Sequence, residues 1–224
     1  MKIICRETRL WDEAETAGYT IDGVYNAVEA GVSDVRNAAE LPAQFDIDLY
    51  PLPEEDLTPW AGTGGWAATS DVMKVCFDTR AQRYSVGEMY ERIRSTASHE
   101  ATHIASIHNA APYDESLITA LIYEGIATSF QQNPQHTAGV QMPFGRYYDM
   151  TDGTLRGALE EILALPPGID QGEYLYKHPD GRKWIVYKTG TWVVDRLVRC
   201  GWTYEELIAT KPERVLEAFR SLPR

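Results

Sequence analysis

The chain has 224 residues, of which 44% are hydrophobic and 24% charged. That is enough apolar material to bury the core of one large domain over residues 1–224. The 33 acidic and 21 basic side chains leave a formal charge of −12, which argues against a nucleic-acid surface or a polybasic membrane contact. Cys5, Cys76 and Cys200 are too far apart in sequence to suggest a zinc knuckle, a redox pair or a disulfide framework.

The apolar run at residues 3–5 is too short for a signal-peptide core, and no stretch reaches the length of a bilayer span. A cytoplasmic address without a membrane partner is expected. Residues 20–39 then carry Ile21, Val24, Val28, Val32 and Val35 at helical spacing. The segment QFDIDLYPL alternates Phe45, Ile47 and Leu49, which predicts a strand stopped by Pro51 and Pro53. PLPEEDLTPWAGTGG reads as a loop, and GWAATSDVMKVCFDT as a hairpin or a pair of short strands.

From residue 85 the pattern is mainly helical. Ser85 with Glu88 forms a capping-box signature. The helix it opens can run to about Asn109, with Met89, Ile93, Ala97, Ile104 and Ile107 on its apolar side. A second helix follows over about 115–131, carrying Leu117, Leu121, Ile122, Ile126 and Phe130. Residues 131–150 read as a long polar loop. TLRGALEEILAL predicts a helix ending at Pro166, and residues 187–199 another closed by Gly201. Thr203 with Glu206, and Thr210 with Glu213, read as capping boxes for two short terminal helices. Strands first and helices after predict an α+β fold: residues 1–84 mixed, residues 85–224 mainly helical.

The chemistry concentrates in SHEATHIASIHNA, which holds three of the five histidines. His99 and His103 are four apart, so on a helix both imidazoles share one face and can grip a single zinc ion. Glu100 points about a third of a turn away, placed as a general base rather than a ligand. The residues around the motif are small: Ala97, Ser98, Ala101, Thr102, Ala105 and Ser106. They allow a second helix to approach closely.

A catalytic zinc needs a third protein ligand and an open position. His108 falls on another face of the same helix. The pattern with a third histidine six residues on would require glycine at 106 and histidine at 109, where the chain has Ser106 and Asn109. His136 and His178 are loop candidates, and Asp114 sits at a turn where it can cap the next helix. Glu124 is the best candidate, because a lone carboxylate in LIYEGIATSF is costly unless paired or bound to a metal. An antiparallel helix pair returns it beside the motif, and Gly125 suits tight packing of the second helix on the first.

HEATH followed by YEGIA resembles the gluzincin arrangement of metallopeptidases. More narrowly, EGIA and the later YKTGTWVVDRLVRCGWTYEELI resemble the predicted zinc-dependent proteases of the DUF2268 type, over roughly residues 85–131 and 185–219. The resemblance implies a zincin-like fold, with His99, His103 and Glu124 as zinc ligands and Glu100 as the base. It also implies an edge strand that seats an extended peptide, and AATSDVMKVCFDT stands at the corresponding place in the chain. A donor for the oxyanion of the tetrahedral intermediate is expected as well. Tyr187 is the first choice, with His178 and Tyr148 behind it.

These readings converge on a zinc metallopeptidase acting on a peptide or protein. The rivals are a catalytically quiet zincin-fold module that keeps metal for structure or recognition, and a metal-dependent hydrolase of a non-peptide amide. Glu100, which a purely structural site does not require, favours an enzyme.

Overall fold

The computed structural model describes residues 1–52, 62–80, 83–114, 116–166 and 169–223. The fold is α+β, with one small sheet and a helical remainder. Strand β1 (Lys2–Cys5) leads into helices α1 (Thr8–Thr16) and α2 (Ile21–Arg36), then β2 (Asp46–Leu52), β3 (Thr63–Trp66) and β4 (Val72–Asp78). Helices α3 (Val86–Asn109) and α4 (Leu117–Gln132) follow, then a 3-10 turn at Pro143–Gly145. The chain ends with α5 (Asp152–Ala164), α6 (Gln171–Leu175), α7 (Ile185–Arg199), α8 (Tyr204–Ile208) and α9 (Pro212–Arg220). No described helix is long and apolar enough to cross a membrane.

The sheet order is β1-β2-β4-β3, with β1, β2 and β4 parallel and β3 antiparallel at the edge. The parallel pairing of β1 with β2 requires a crossover, which α1 and α2 supply. Helices and strands are therefore interleaved in the first third, contrary to the expectation of strands first and helices after. The alternation of Phe45, Ile47 and Leu49 does bury one face. Pro51, expected to stop β2, lies within it opposite Phe77. The carbonyl of Leu49 accepts from the Arg6 backbone N–H on the β1 side. Pro51 has the same orientation as Leu49, and β1 has already ended there, so its missing N–H leaves no ladder bond unmade. The second expected stop, Pro53, and much of the expected loop lie outside the described residues.

A hairpin of β3 and β4 forms, but its first strand, Thr63–Trp66, lies mostly within the expected loop, and Ala67 and Thr69 fall between the two strands. The placement of AATSDVMKVCFDT as the edge strand needs correction: β4 is covered by β2 on one side and β3 on the other. The edge strands are β1 and β3, and β3 is the one that lies against α3.

Ser85 caps α3 as its sequence predicts, accepting from the Glu88 backbone N–H while Glu88 returns to the Ser85 backbone. The small residues near the motif serve α2: a Cβ on Gly31 would overlap the Arg94 carbonyl, Ala97 and the Ser98 backbone. Arg94 grips Asp34 of α2 through two bonds of 2.9 Å. Gly125 is explained differently from the expectation. Its missing Cβ makes room for the backbone of Gly190 on α7, so the close crossing is α4 on α7, not on α3. The Thr203–Glu206 capping box forms. The Thr210–Glu213 box does not, because α9 starts at Pro212 with Lys211 as its N-cap and no side-chain bond.

Candidate metal centre

α3 and α4 run antiparallel, as paired contacts along them show: Tyr123 reaches the Ser106 carbonyl, whereas Gln131 lies beside His99. This pairing brings Glu124 to the histidines. His99 Nε2 lies 3.1 Å from His103 Nε2 and 3.1 Å from Glu124 Oε2, and His103 Nε2 lies 3.4 Å from the same oxygen. Among the described residues, these three form the group of His, Cys, Asp and Glu side chains that could hold a metal ion. A tetrahedral ion with bonds of about 2.0–2.1 Å separates its ligand atoms by about 3.3–3.4 Å. The observed triangle has nearly that size. The three ligand atoms it offers are two nitrogens and one oxygen.

Protonation is compatible with the same assignment. His99 Nδ1–H donates to Gln131 Oε1 at 3.1 Å, and Gln131 is buried. In the neutral ring that proton leaves the Nε2 lone pair free for a cation, whereas a ring protonated on both nitrogens donates to Glu124. Burial pushes the Glu124 carboxyl up, but His103 and His99 outweigh it and hold the carboxyl well below the usual range.

Glu100 lies beside this triangle without joining it. It is 5% exposed and forms part of the wall of two cavities, of about 120 Å³ and about 180 Å³, that adjoin the histidines. Burial raises its carboxyl to about 8, with His99 pulling it down and Glu124 pushing it up. β3 lies directly against it. A Cβ on Gly65 would fall 2.5 Å from Glu100 Oε1. Thr96, one helical turn before Glu100, donates to Thr63 of β3 at 2.9 Å and ties strand to helix.

Phe144 lies over the site, its ring centroid 6.1 Å from His99 and 5.0 Å from Tyr187. The expected loop of residues 131–150 that carries it is well anchored. Thr137 Oγ1 donates to the Gln131 carbonyl at 2.6 Å, and Tyr147 Oη to Asp195 at 2.6 Å.

Tyr187, the expected oxyanion donor, lines both cavities, and burial first, then Glu124, hold its hydroxyl well above the ordinary tyrosine range. The other candidates lie elsewhere. His178 pairs with Asp180 at 2.9 Å, and Tyr148 lines a separate cavity with Asp195 and Arg199. His136 stacks on Phe130 and meets Tyr204 edge to face, away from the triangle. Asp114 accepts from the Ser116 backbone, while Ser116 itself caps α4.

Three residues at the site escape sequence reasoning. Gln131 orients His99, Gly65 seats Glu100, and Tyr176 lines both cavities while 55% exposed. Gln131 falls seven residues after Glu124, which on a helix puts it on the same face two turns away; that spacing was the available signal. The sequence matches no family model, no curated protein and no solved structure.

Proposed function

We propose that this chain is a zinc-dependent metallopeptidase with a zincin-like fold, cleaving a peptide or protein substrate. The observation that carries the reading is the 3.1–3.4 Å triangle of His99, His103 and Glu124 with a buried carboxylate, Glu100, beside it and outside it. A structural zinc site is normally closed by four protein ligands, whereas three with an open position is the arrangement of catalytic zinc. Two imidazoles and one carboxylate favour zinc over the hard cations that prefer all-oxygen cages.

Zinc, when bound, polarises a carbonyl and lowers the pKa of water toward about 7. Glu100 accepts the proton of the attacking water and delivers it to the leaving amine. Without an ion, burial keeps the carboxyl protonated near neutrality; a nearby cation would draw its pKa down toward the ionised form that a base requires. Gln131 keeps His99 in the ligating tautomer. Tyr176 and Tyr187 are hydroxyl donors lining both cavities, available to a substrate oxygen.

The deciding experiment is Glu100→Gln in zinc-loaded protein. Zinc content should stay near one per chain, while cleavage of a mixed peptide library falls by about 10²–10⁴-fold. Equal cleavage by the variant removes Glu100 as the base. A wild type that binds zinc and cleaves nothing moves the quiet metal-binding module ahead.

A further inference from the structure

We propose that residues 171–184 form a strap that holds substrate in the cleft, with Tyr176 as the residue touching the peptide and the Arg182–Glu161 ion pair as the anchor. The inference rests on the metallopeptidase reading and adds to it the element that grips the substrate.

The strap is built as a unit. It begins with α6, and Tyr176 follows directly at that helix's C-terminal cap. The chain then reverses through Gly181, whose φ of +93° suits glycine. Lys177 bridges to Lys183, the His178 N–H donates to the Arg182 carbonyl at 2.8 Å, and the Trp184 N–H donates to the Tyr176 carbonyl at 3.1 Å. These bonds fix Tyr176 and Trp184 against each other at the open end of the reversal. Both residues line the smaller cavity, and Tyr176 lines the larger one as well.

The far end is fastened to α5. Arg182 Nη1 and Nη2 each reach a Glu161 oxygen at 2.8 Å, a two-pronged grip that fixes orientation as well as distance. Arg182 Nε adds Asp180 at 2.7 Å. Tyr174 approaches the same Glu161 carboxylate at 3.4 Å and packs on His178 with ring centroids 4.8 Å apart. Neither Glu161 nor Arg182 lines the two cavities. Their connection to the site runs through the strap.

Tyr176 is better placed to meet a ligand than Tyr187. Tyr187 belongs to the first turn of α7 and packs against Phe144, so its ring is part of the cavity wall. Tyr176 spans the two cavities with more than half its surface open, so a peptide passing Glu100 must cover it. Its ring offers apolar contact to a substrate side chain, and its hydroxyl can donate to a carbonyl oxygen. Burial, then Glu124 and Glu100, raise its pKa, which keeps that proton in place.

The test uses zinc-loaded full-length protein, a mixed peptide library and five variants: Tyr176→Phe, Tyr187→Phe, Glu161→Gln, Arg182→Met and Arg182→Lys. All should keep near-stoichiometric zinc and unfold cooperatively. Tyr176→Phe should lower kcat/KM by about 100-fold, the loss for one well-placed oxyanion donor, and Tyr187→Phe by much less. Glu161→Gln and Arg182→Met should raise KM several-fold without loss of zinc, and Arg182→Lys should recover much of that loss. Full activity in Tyr176→Phe, or unchanged KM in both anchor variants, overturns the strap while leaving the metallopeptidase reading intact. A wild type that cleaves nothing overturns both.

Discussion

Gly65 on β3 and Glu100 on α3 are in direct contact, and the contact is possible because Gly65 has no side chain. A Cβ there would fall 2.5 Å from Glu100 Oε1 and 2.7 Å from Cδ. The atoms in the way belong to a side chain, not to backbone, so Gly65→Ala is relieved by moving Glu100. The expected outcome is a folded protein that keeps its metal and loses at least about 10-fold in peptide cleavage, since a misplaced general base forfeits much of a 10²–10⁴-fold contribution. Zinc analysis alongside peptide cleavage checks this. Undiminished activity in Gly65→Ala would show that the carboxylate is not held where the reaction needs it.

Removing the metal should destabilise the fold. An ion shared by three side chains whose ligand atoms lie 3.1–3.4 Å apart would cross-link α3 to α4, and its removal would break that link. An ion present at about 100 times its Kd adds about 2.7 kcal/mol. For a chain of this size, that corresponds to about 5–10 °C in Tm. Calorimetry before and after dialysis against a chelator, with zinc restored afterwards, measures it. A Tm indifferent to both steps would mean that the triangle holds no ion.

Gln131 is a quieter test of the same centre. Its oxygen fixes the His99 proton on Nδ1, so Gln131→Leu frees the ring to take the wrong tautomer. Zinc affinity should fall about 10–100-fold, as is typical when the partner of a ligating imidazole is lost. Competition titration against a zinc-binding dye gives the number. Gln131→Glu should retain or tighten binding, because a carboxylate accepts the same hydrogen bond more strongly.

The motif and its capped helix were legible because both are local. Ser85 with Glu88, and His99 with His103, are patterns of three and four residues set by helix geometry alone. Glu124 was legible for a different reason: a carboxylate in an apolar helix carries a desolvation cost that demands a partner. What stayed hidden depends on which surfaces meet. Gly125 was read as a contact with α3 because nothing in the sequence couples it to Gly190, which is 65 positions on. Strand β1 and helix α1 lacked a strong periodic signal, and the edge position of β3 depends on a sheet order that adjacency in sequence does not reveal. Tyr176 was one of thirteen tyrosines until the fold carried it to the cleft.

The strap anchor should respond to acid. Arg182 first, through hydrogen bonding, holds the Glu161 carboxyl below its usual value against a weaker opposing effect of burial. Hydrogen bonds, led by that from the Arg182 backbone, bring Asp180 to about 2. A carboxyl with a depressed folded pKa stabilises the fold above its unfolded pKa and loses that contribution as pH falls through the folded value. The urea midpoints of wild type and Glu161→Gln should therefore differ by a constant amount above about pH 5 and converge below about pH 4. A gap that stays constant down to pH 3 would contradict the ion pair.

The crossing of α4 on α7 makes a prediction whose sign separates packing from propensity. Replacing glycine by alanine inside a helix usually gains up to about 1 kcal/mol. Gly157 in α5 has nothing within 4 Å of its virtual Cβ, so Gly157→Ala should show that gain. At Gly190 the added carbon would overlap the Leu121 carbonyl and lie 3.1 Å from the Gly125 Cα. Those are backbone atoms, and relief requires the helices to part. Overpacking of this kind costs about 1–3 kcal/mol, enough to reverse the propensity gain. Because Glu124 adjoins Gly125, displacement of α4 also moves a proposed metal ligand. Gly190→Ala should accordingly unfold at lower urea and bind zinc more weakly, while Gly157→Ala unfolds at higher urea with zinc affinity unchanged. Equal shifts of the same sign in the two variants would remove the close crossing as the reason α4 holds Glu124 at the histidines.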